Sequence, residues 1–195
     1  MRALILSMAV LALASCAPDL RVDHPFDGET TTGPLVTATD LEGGGKRLVI
    51  DATNKMSQVF VDLDEARELK PDEAFATNGW DLAFKRFDVY VNSGASGPTG
   101  TAEVALIVGA DWATYSQAPA TGFQQDTPGR VFNSPEDQAW YYYDLGVHRL
   151  TVRADRFYAI KTTAGAYVKL RMLDYYDANG TPAMMSLEYA PTAAP

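Results

Sequence analysis

The chain has 195 residues, 47% of them apolar and 21% charged, with eight Phe, ten Tyr and three Trp, a composition that buries a core and excludes a disordered chain. The net charge of −9 excludes nucleic acid as a natural partner, because a polyanion groove needs a positive surface to displace counterions. One Cys and two His are too few for a Cys/His zinc site and leave little material for nucleophilic catalysis.

Met1-Arg2, the apolar run Ala3 to Leu13 and the small residues before Cys16 form the three parts of an export signal. The run is shorter than the roughly 20 residues a membrane-spanning helix needs. Leu13-Ala14-Ser15-Cys16 is similar to a bacterial lipobox. The resemblance implies that residues 1–15 are removed and that Cys16 carries acyl chains. Two or more chains anchor stably where one is marginal, at about 0.8 kcal/mol per buried CH₂. By the same resemblance, Ala17, where an Asp would favour inner-membrane retention, implies sorting to the outer membrane, with the side it faces left open.

Residues 16–45 are then expected to be the lipidated Cys and a flexible tether, rich in Pro, Thr, Gly and Asp and ending in Gly43-Gly44-Gly45. A coil of this length spans roughly 30 Å root mean square. His24 lies in it and reads as solvated.

Residues 46–190 read as one antiparallel, mainly β domain with short helical turns, and 191–195 as a tail. Leu48-Val49-Ile50 and Val59-Phe60-Val61 are short strands, and Asp64 to Lys70 suits a helical turn that Pro71 stops. The acids of that turn lack calcium-loop spacing and read as a solvated face. Trp80 to Val91 alternates with Trp80, Leu82 and Phe84 on one face, then shifts parity to Phe87, Val89 and Val91. One extra residue does this, so a bulge is predicted near Lys85-Arg86. Asn92 to Gly100 is a turn whose glycines suit positive φ, and Thr101 to Val108 is a strand. Gly109 to Asn133 reads as a long irregular connection, a length uncommon without a role. Trp140 to Tyr143, Phe157 to Thr162, Tyr167 to Leu173 and Met184 to Tyr189 are strands of a meander. Ala164-Gly165 is a tight turn, and Asn179-Gly180 suits a mirror-image hairpin turn.

Two stretches resemble the signatures of the HmuY-like lipoproteins. The first is Trp80-Asp81-Leu82-Ala83-Phe84-Lys85-Arg86 with Asn92 to Gly97. The second is Tyr158-Ala159-Ile160-Lys161-Thr162 with Gly165 to Leu170 and Asp174-Tyr175-Tyr176. The resemblance runs from about Leu48 to Tyr189. It implies a mostly β fold on the outer membrane and haem capture for iron acquisition, with iron held by paired His, or by Met, from the region between the signatures. Here that region offers His148 and no Met.

The candidate haem contacts are therefore His148 as iron ligand, Met184 and Met185 as further ligand candidates, and Tyr141, Tyr142 and Tyr143 as stacking surfaces. Each has a plainer reading: His148 as a turn residue bonded to Asp144, one of the two methionines in the core, and the tyrosines as cross-strand pairs. Met172 reads as core. No nucleophile elbow, phosphate loop or selected carboxylate pair is present, so the chain is expected not to be an enzyme. Expected partners are the membrane through the anchor, haem or a haem-carrying protein, and an outer-membrane receptor. The alternative is a non-haem surface lipoprotein that keeps the fold and binds a protein or glycan.

Overall fold

A computed structural model describes residues 34–195. The export signal, Cys16 and the tether as far as residue 33, His24 included, lie outside the described residues. The elements are β1 (Val36–Asp40), β2 (Lys46–Asp51), β3 (Val59–Asp62), β4 (Arg67–Leu69), α1 (Pro71–Thr77), β5 (Leu82–Lys85) and β6 (Asp88–Val91). They continue with β7 (Glu103–Val108), β8 (Tyr141–Asp144), β9 (Arg149–Val152), β10 (Arg156–Lys161), β11 (Tyr167–Tyr176) and β12 (Pro182–Pro191). The chain is mainly β, as the alternation of its apolar residues predicts.

The strands form a six-stranded sheet in the order β1-β2-β12-β11-β10-β7, a four-stranded sheet β4-β3-β5-β6 and the isolated hairpin β8-β9, all antiparallel. Leu48, Ile50, Leu170, Met185 and Leu187 from the larger sheet meet Val59, Val61, Leu82, Phe84, Val89 and Val91 from the smaller one in a single buried cluster. Strands with period-two alternation deliver these residues to one face each, so the two sheets share one core. Phe60, Leu69, Ala83 and Tyr90 lie on the opposite face of the smaller sheet, where Ala74 of α1 and Trp80 pack with them.

Several expectations are corrected. Val36–Asp40, assigned to the tether, pairs with β2 from Val36↔Ile50 to Asp40↔Lys46, and the three glycines form the intervening turn, each at positive φ. The tail is also tied down, because the Ala193 N–H donates to the Ser116 carbonyl and the Thr192 N–H to the Tyr167 carbonyl. Pro71 does not stop a helix. It starts α1 at the first helical position, where its missing N–H has no intrahelical role, while the preceding segment closes as β4.

The parity shift between Phe84 and Phe87 is a hairpin, not a bulge. β5 and β6 pair from Leu82↔Val91 to Lys85↔Asp88, so Arg86-Phe87 is the turn, with Arg86 at φ 56°. Trp80 precedes β5 and packs on the face opposite Leu82 and Phe84. In the following loop only Gly94 has positive φ. Gly97 and Gly100 are required by close approach, since a Cβ on either would fall 2.1 Å from an Asn92 oxygen. The Asn179-Gly180 turn is wider than expected. Tyr176 pairs with Pro182, and the Asp177 carboxylate accepts the N–H groups of Asn179 (2.9 Å) and Thr181 (2.7 Å).

The long connection is structural for much of its length. Trp112 and Tyr115 lie edge-on to Phe157 of β10. Farther along, Phe132 and Trp140 are fully buried in the shared core.

Candidate functional site

The described residues form a cleft of about 480 Å³. Arg86 and Phe87 come to it from the β5–β6 turn; Tyr141, Tyr143, His148 and Leu150 from the β8–β9 hairpin; Tyr175 and Tyr176 from the end of β11; Gly180 and Pro182 from the approach to β12. The walls are largely aromatic and aliphatic, and the size falls within the range of small-molecule sites.

Local structure explains each wall. In β8, alternation puts Tyr141 and Tyr143 on the cleft side and turns Tyr142 outward, 52% exposed. Across the hairpin Tyr143 faces Leu150. Two neighbouring residues of β11, Tyr175 and Tyr176, both reach the cleft because the pairing with β12 shifts register after Met172 and again after Asp174. Such bulges re-aim side chains. The two rings stand edge to face at 5.0 Å, and the Tyr176 hydroxyl accepts the Leu150 N–H at 3.1 Å. Trp140, buried behind the cleft, packs on Tyr141 and Tyr175 and donates its indole N–H to the Phe87 carbonyl at 3.2 Å. Burial raises the pKa of the Tyr175 and Tyr141 phenols, so both are neutral hydroxyls near neutral pH.

His148 ends the four-residue β8–β9 turn at φ 53°, a left-handed conformation that is strained for a residue with a Cβ. Its Nδ1 lies 3.1 Å from the Tyr143 hydroxyl. The bond expected to Asp144 is not made. That carboxylate instead accepts the N–H groups of Gly146 and Val147, which shapes the turn. With Nδ1–H donating to the Tyr143 oxygen, Nε2 carries the lone pair a metal ligand needs.

Of the sequence candidates, His148, Tyr141 and Tyr143 come together in the cleft. Tyr142 does not line it, and neither do the methionines. Met185 is fully buried in the core beside Ile50, and Met184 sits on the opposite face of β12, where it pairs with Asp51. Met172 packs in the core as expected. Sequence reasoning missed Arg86, Phe87, Leu150, Tyr175 and Tyr176 as wall residues. The left-handed turn at Arg86 brings Arg86 and Phe87, the register shifts of β11 bring Tyr175 and Tyr176, and the β8–β9 pairing sets Leu150 opposite Tyr143.

Elsewhere, carboxylate oxygens of Asp62, Asp64 and Asp81 lie within 4.8 Å of one another. They accept protein donors: the Glu65 N–H for Asp62, the Thr162 hydroxyl for Asp64, and the Leu63 and Thr163 N–H groups for Asp81.

Residues 54–144 match the family model described as HmuY protein. That stretch resembles the HmuY family. Solved structures agree on the fold. A candidate HmuY-like haem-binding protein from Bacteroides vulgatus ATCC 8482 superposes with a TM-score of 0.57 at 18% identity, covering 81% of this chain and 97% of that one. The apo HmuY analogue of Tannerella forsythia gives 0.57 at 16% identity, covering 76% and 96%. A candidate lipoprotein from Bacteroides fragilis NCTC 9343 gives 0.57 at 18%, covering 86% and 100%. Comparison with curated proteins finds no match.

The cleft fits a haem-sized planar group in its chemistry. It offers aromatic walls, an imidazole whose Nδ1 meets the Tyr143 hydroxyl, and the Arg86 guanidinium among its lining residues.

Proposed function

We propose that this chain is a lipid-anchored protein of the bacterial outer membrane that captures haem for iron acquisition, bound in the cleft beside His148. One observation carries the reading: His148, held by Tyr143, lines an aromatic cleft of about 480 Å³ in an HmuY-like fold. The Bacteroides vulgatus neighbour, named for haem binding, supports it. When bound, haem supplies an iron that takes an axial donor.

The chain's own residues have distinct tasks in this reading. Phe87, Tyr141, Leu150 and Tyr175 exclude water and cover the ring. Tyr143 orients the imidazole, and His148 donates its Nε2 lone pair. The role is binding and delivery, with haem or a haem-carrying protein on one side and an outer-membrane receptor on the other. Cys16 is the acylated residue in this proposal, a reading supported by the lipobox and by the neighbour from Bacteroides fragilis that is described as a lipoprotein.

Titration of the purified domain with haemin tests the proposal. A saturable Soret shift at one equivalent is expected, and a flat difference spectrum overturns it. For the anchor, Cys16→Ala is expected to move the protein from the membrane to the soluble fraction; unchanged fractionation rejects acylation at Cys16.

A second reading, contact with a protein or glycan, is favoured by a different observation. Leu145 and Val147 at the tip of the β8–β9 hairpin are 77% and 70% exposed, beside the outward Tyr142. Binding of haemin with no dependence on these residues argues against it.

A further inference from the structure

Arg86 is the cationic side chain among the residues that line the cleft, in a protein whose net charge is −9. Its placement is costly. The backbone is left-handed at φ 56°, a conformation the turn would adopt more easily with glycine. The turn is held from behind, where the Arg86 N–H donates to the Ala52 carbonyl at 2.9 Å and Nη1 donates to the Thr53 carbonyl at 3.1 Å. The latter contact uses one of five guanidinium donors. No carboxylate partner of Arg86 is found among the described residues, whereas Arg47, Arg67, Arg156 and Arg171 each form an ion pair. Asp88, the acid across the turn, is offset by Lys85 and Arg130.

A guanidinium against aromatic walls, with donors to spare and no acid of its own, is matched by a carboxylate on the ligand. Arg binds carboxylates through parallel N–H donors, and such bonds strengthen where water is excluded. We propose that Arg86 is a specificity residue that receives a carboxylate of the bound ligand, so that the site selects planar apolar rings bearing a free acidic side chain. The inference rests on the haem reading and deepens it, because haem carries two propionates while its ring and iron make no demand on a cation. Arg86 is on the β5–β6 turn and His148 on the β8–β9 hairpin, so the two would fix the ring in different ways, one by its edge and one at its centre.

The test compares haemin, haemin dimethyl ester and iron-free protoporphyrin IX on the full domain. Unaltered protein is expected to bind haemin about tenfold more tightly than the ester, the size of one charge-assisted bond. It should also retain protoporphyrin IX, read by fluorescence. Arg86→Gln is expected to bring haemin affinity down to that of the ester, with the Soret position of the saturated complex unchanged. Arg86→Gly, which suits the left-handed turn, should behave in the same way and guards against a folding defect. Equal affinity for haemin and its ester in the unaltered protein, or unchanged haemin affinity in both variants, overturns the role of Arg86 while leaving haem binding standing. Absence of any haemin binding overturns the haem reading, and the assignment of Arg86 falls with it.

Discussion

Asp81, just before β5, accepts the Thr163 N–H at 2.7 Å and the Thr163 hydroxyl at 2.9 Å, although 82 residues separate them. Its other oxygen accepts the Leu63 N–H at 2.8 Å. The carboxylate thus ties the smaller sheet to the β10–β11 turn of the larger one.

Burial pushes the Asp81 carboxyl from 3.8 up to about 6, partly opposed by these hydrogen bonds. A folded-state pKa above the unfolded one means that the native state holds the proton more tightly. The contribution is full below about pH 4 and is lost as pH rises through 6, about 3 kcal/mol in all at about 1.4 kcal/mol per unit. Glu188 acts in the opposite sense: burial raises its pKa, but Arg47 and Arg171 outweigh this and lower it, so its contribution is lost in acid below the ordinary Glu range. Urea unfolding at intervals from pH 4 to 7 should show stability falling toward neutrality, and Asp81→Asn should flatten that slope.

The imidazole at the cleft separates two roles. His148→Ala should abolish the Soret shift with haemin, whereas Tyr143→Phe, which removes only the hydroxyl at Nδ1, should weaken binding by about tenfold and keep the shift. Identical behaviour of the two variants would mean that the hydroxyl does more than orient the ring.

Gly94 sits at φ 51°, with space for no Cβ: the nearest atom to one would be the Asp126 carbonyl oxygen at 2.2 Å. Gly94→Ala should cost about 3 kcal/mol in urea unfolding. Gly180 also has positive φ, at 85°, but nothing lies within 4 Å of a Cβ there, so Gly180→Ala should cost only about 1 kcal/mol.

Trp140 is 1% exposed and backs Tyr141 and Tyr175. Trp140→Ala should cost about 4 kcal/mol and also weaken haemin binding, because the cleft wall loses its support. Tyr142→Ala, on the outer face of the same hairpin, should stay within about 0.5 kcal/mol and leave haemin binding unchanged. Thermal melts and titrations on the same preparations check both.

The mainly β class and the meander at the C-terminal end were legible in the residues, because each depends on local alternation and turn chemistry. Tyr167 to Leu173 alternates in the chain as it does in the sheet, and Gly165 turns where it was expected to turn. His148 could be singled out by composition alone, as the one histidine in the domain.

Other features came only with long-range pairing. A parity shift is the same string of letters whether the strand bulges or reverses, and the pairing of Lys85 with Asp88 decided for reversal at Arg86. Val36–Asp40 is polar and short, and nothing local marks it as a strand until β2 offers its edge. Tyr175 and Tyr176 are adjacent, so simple alternation would send them to opposite faces; two register shifts against β12 bring both into the cleft. The cleft is assembled from four segments between Arg86 and Pro182, and its wall depends on contacts across the fold that no local pattern encodes.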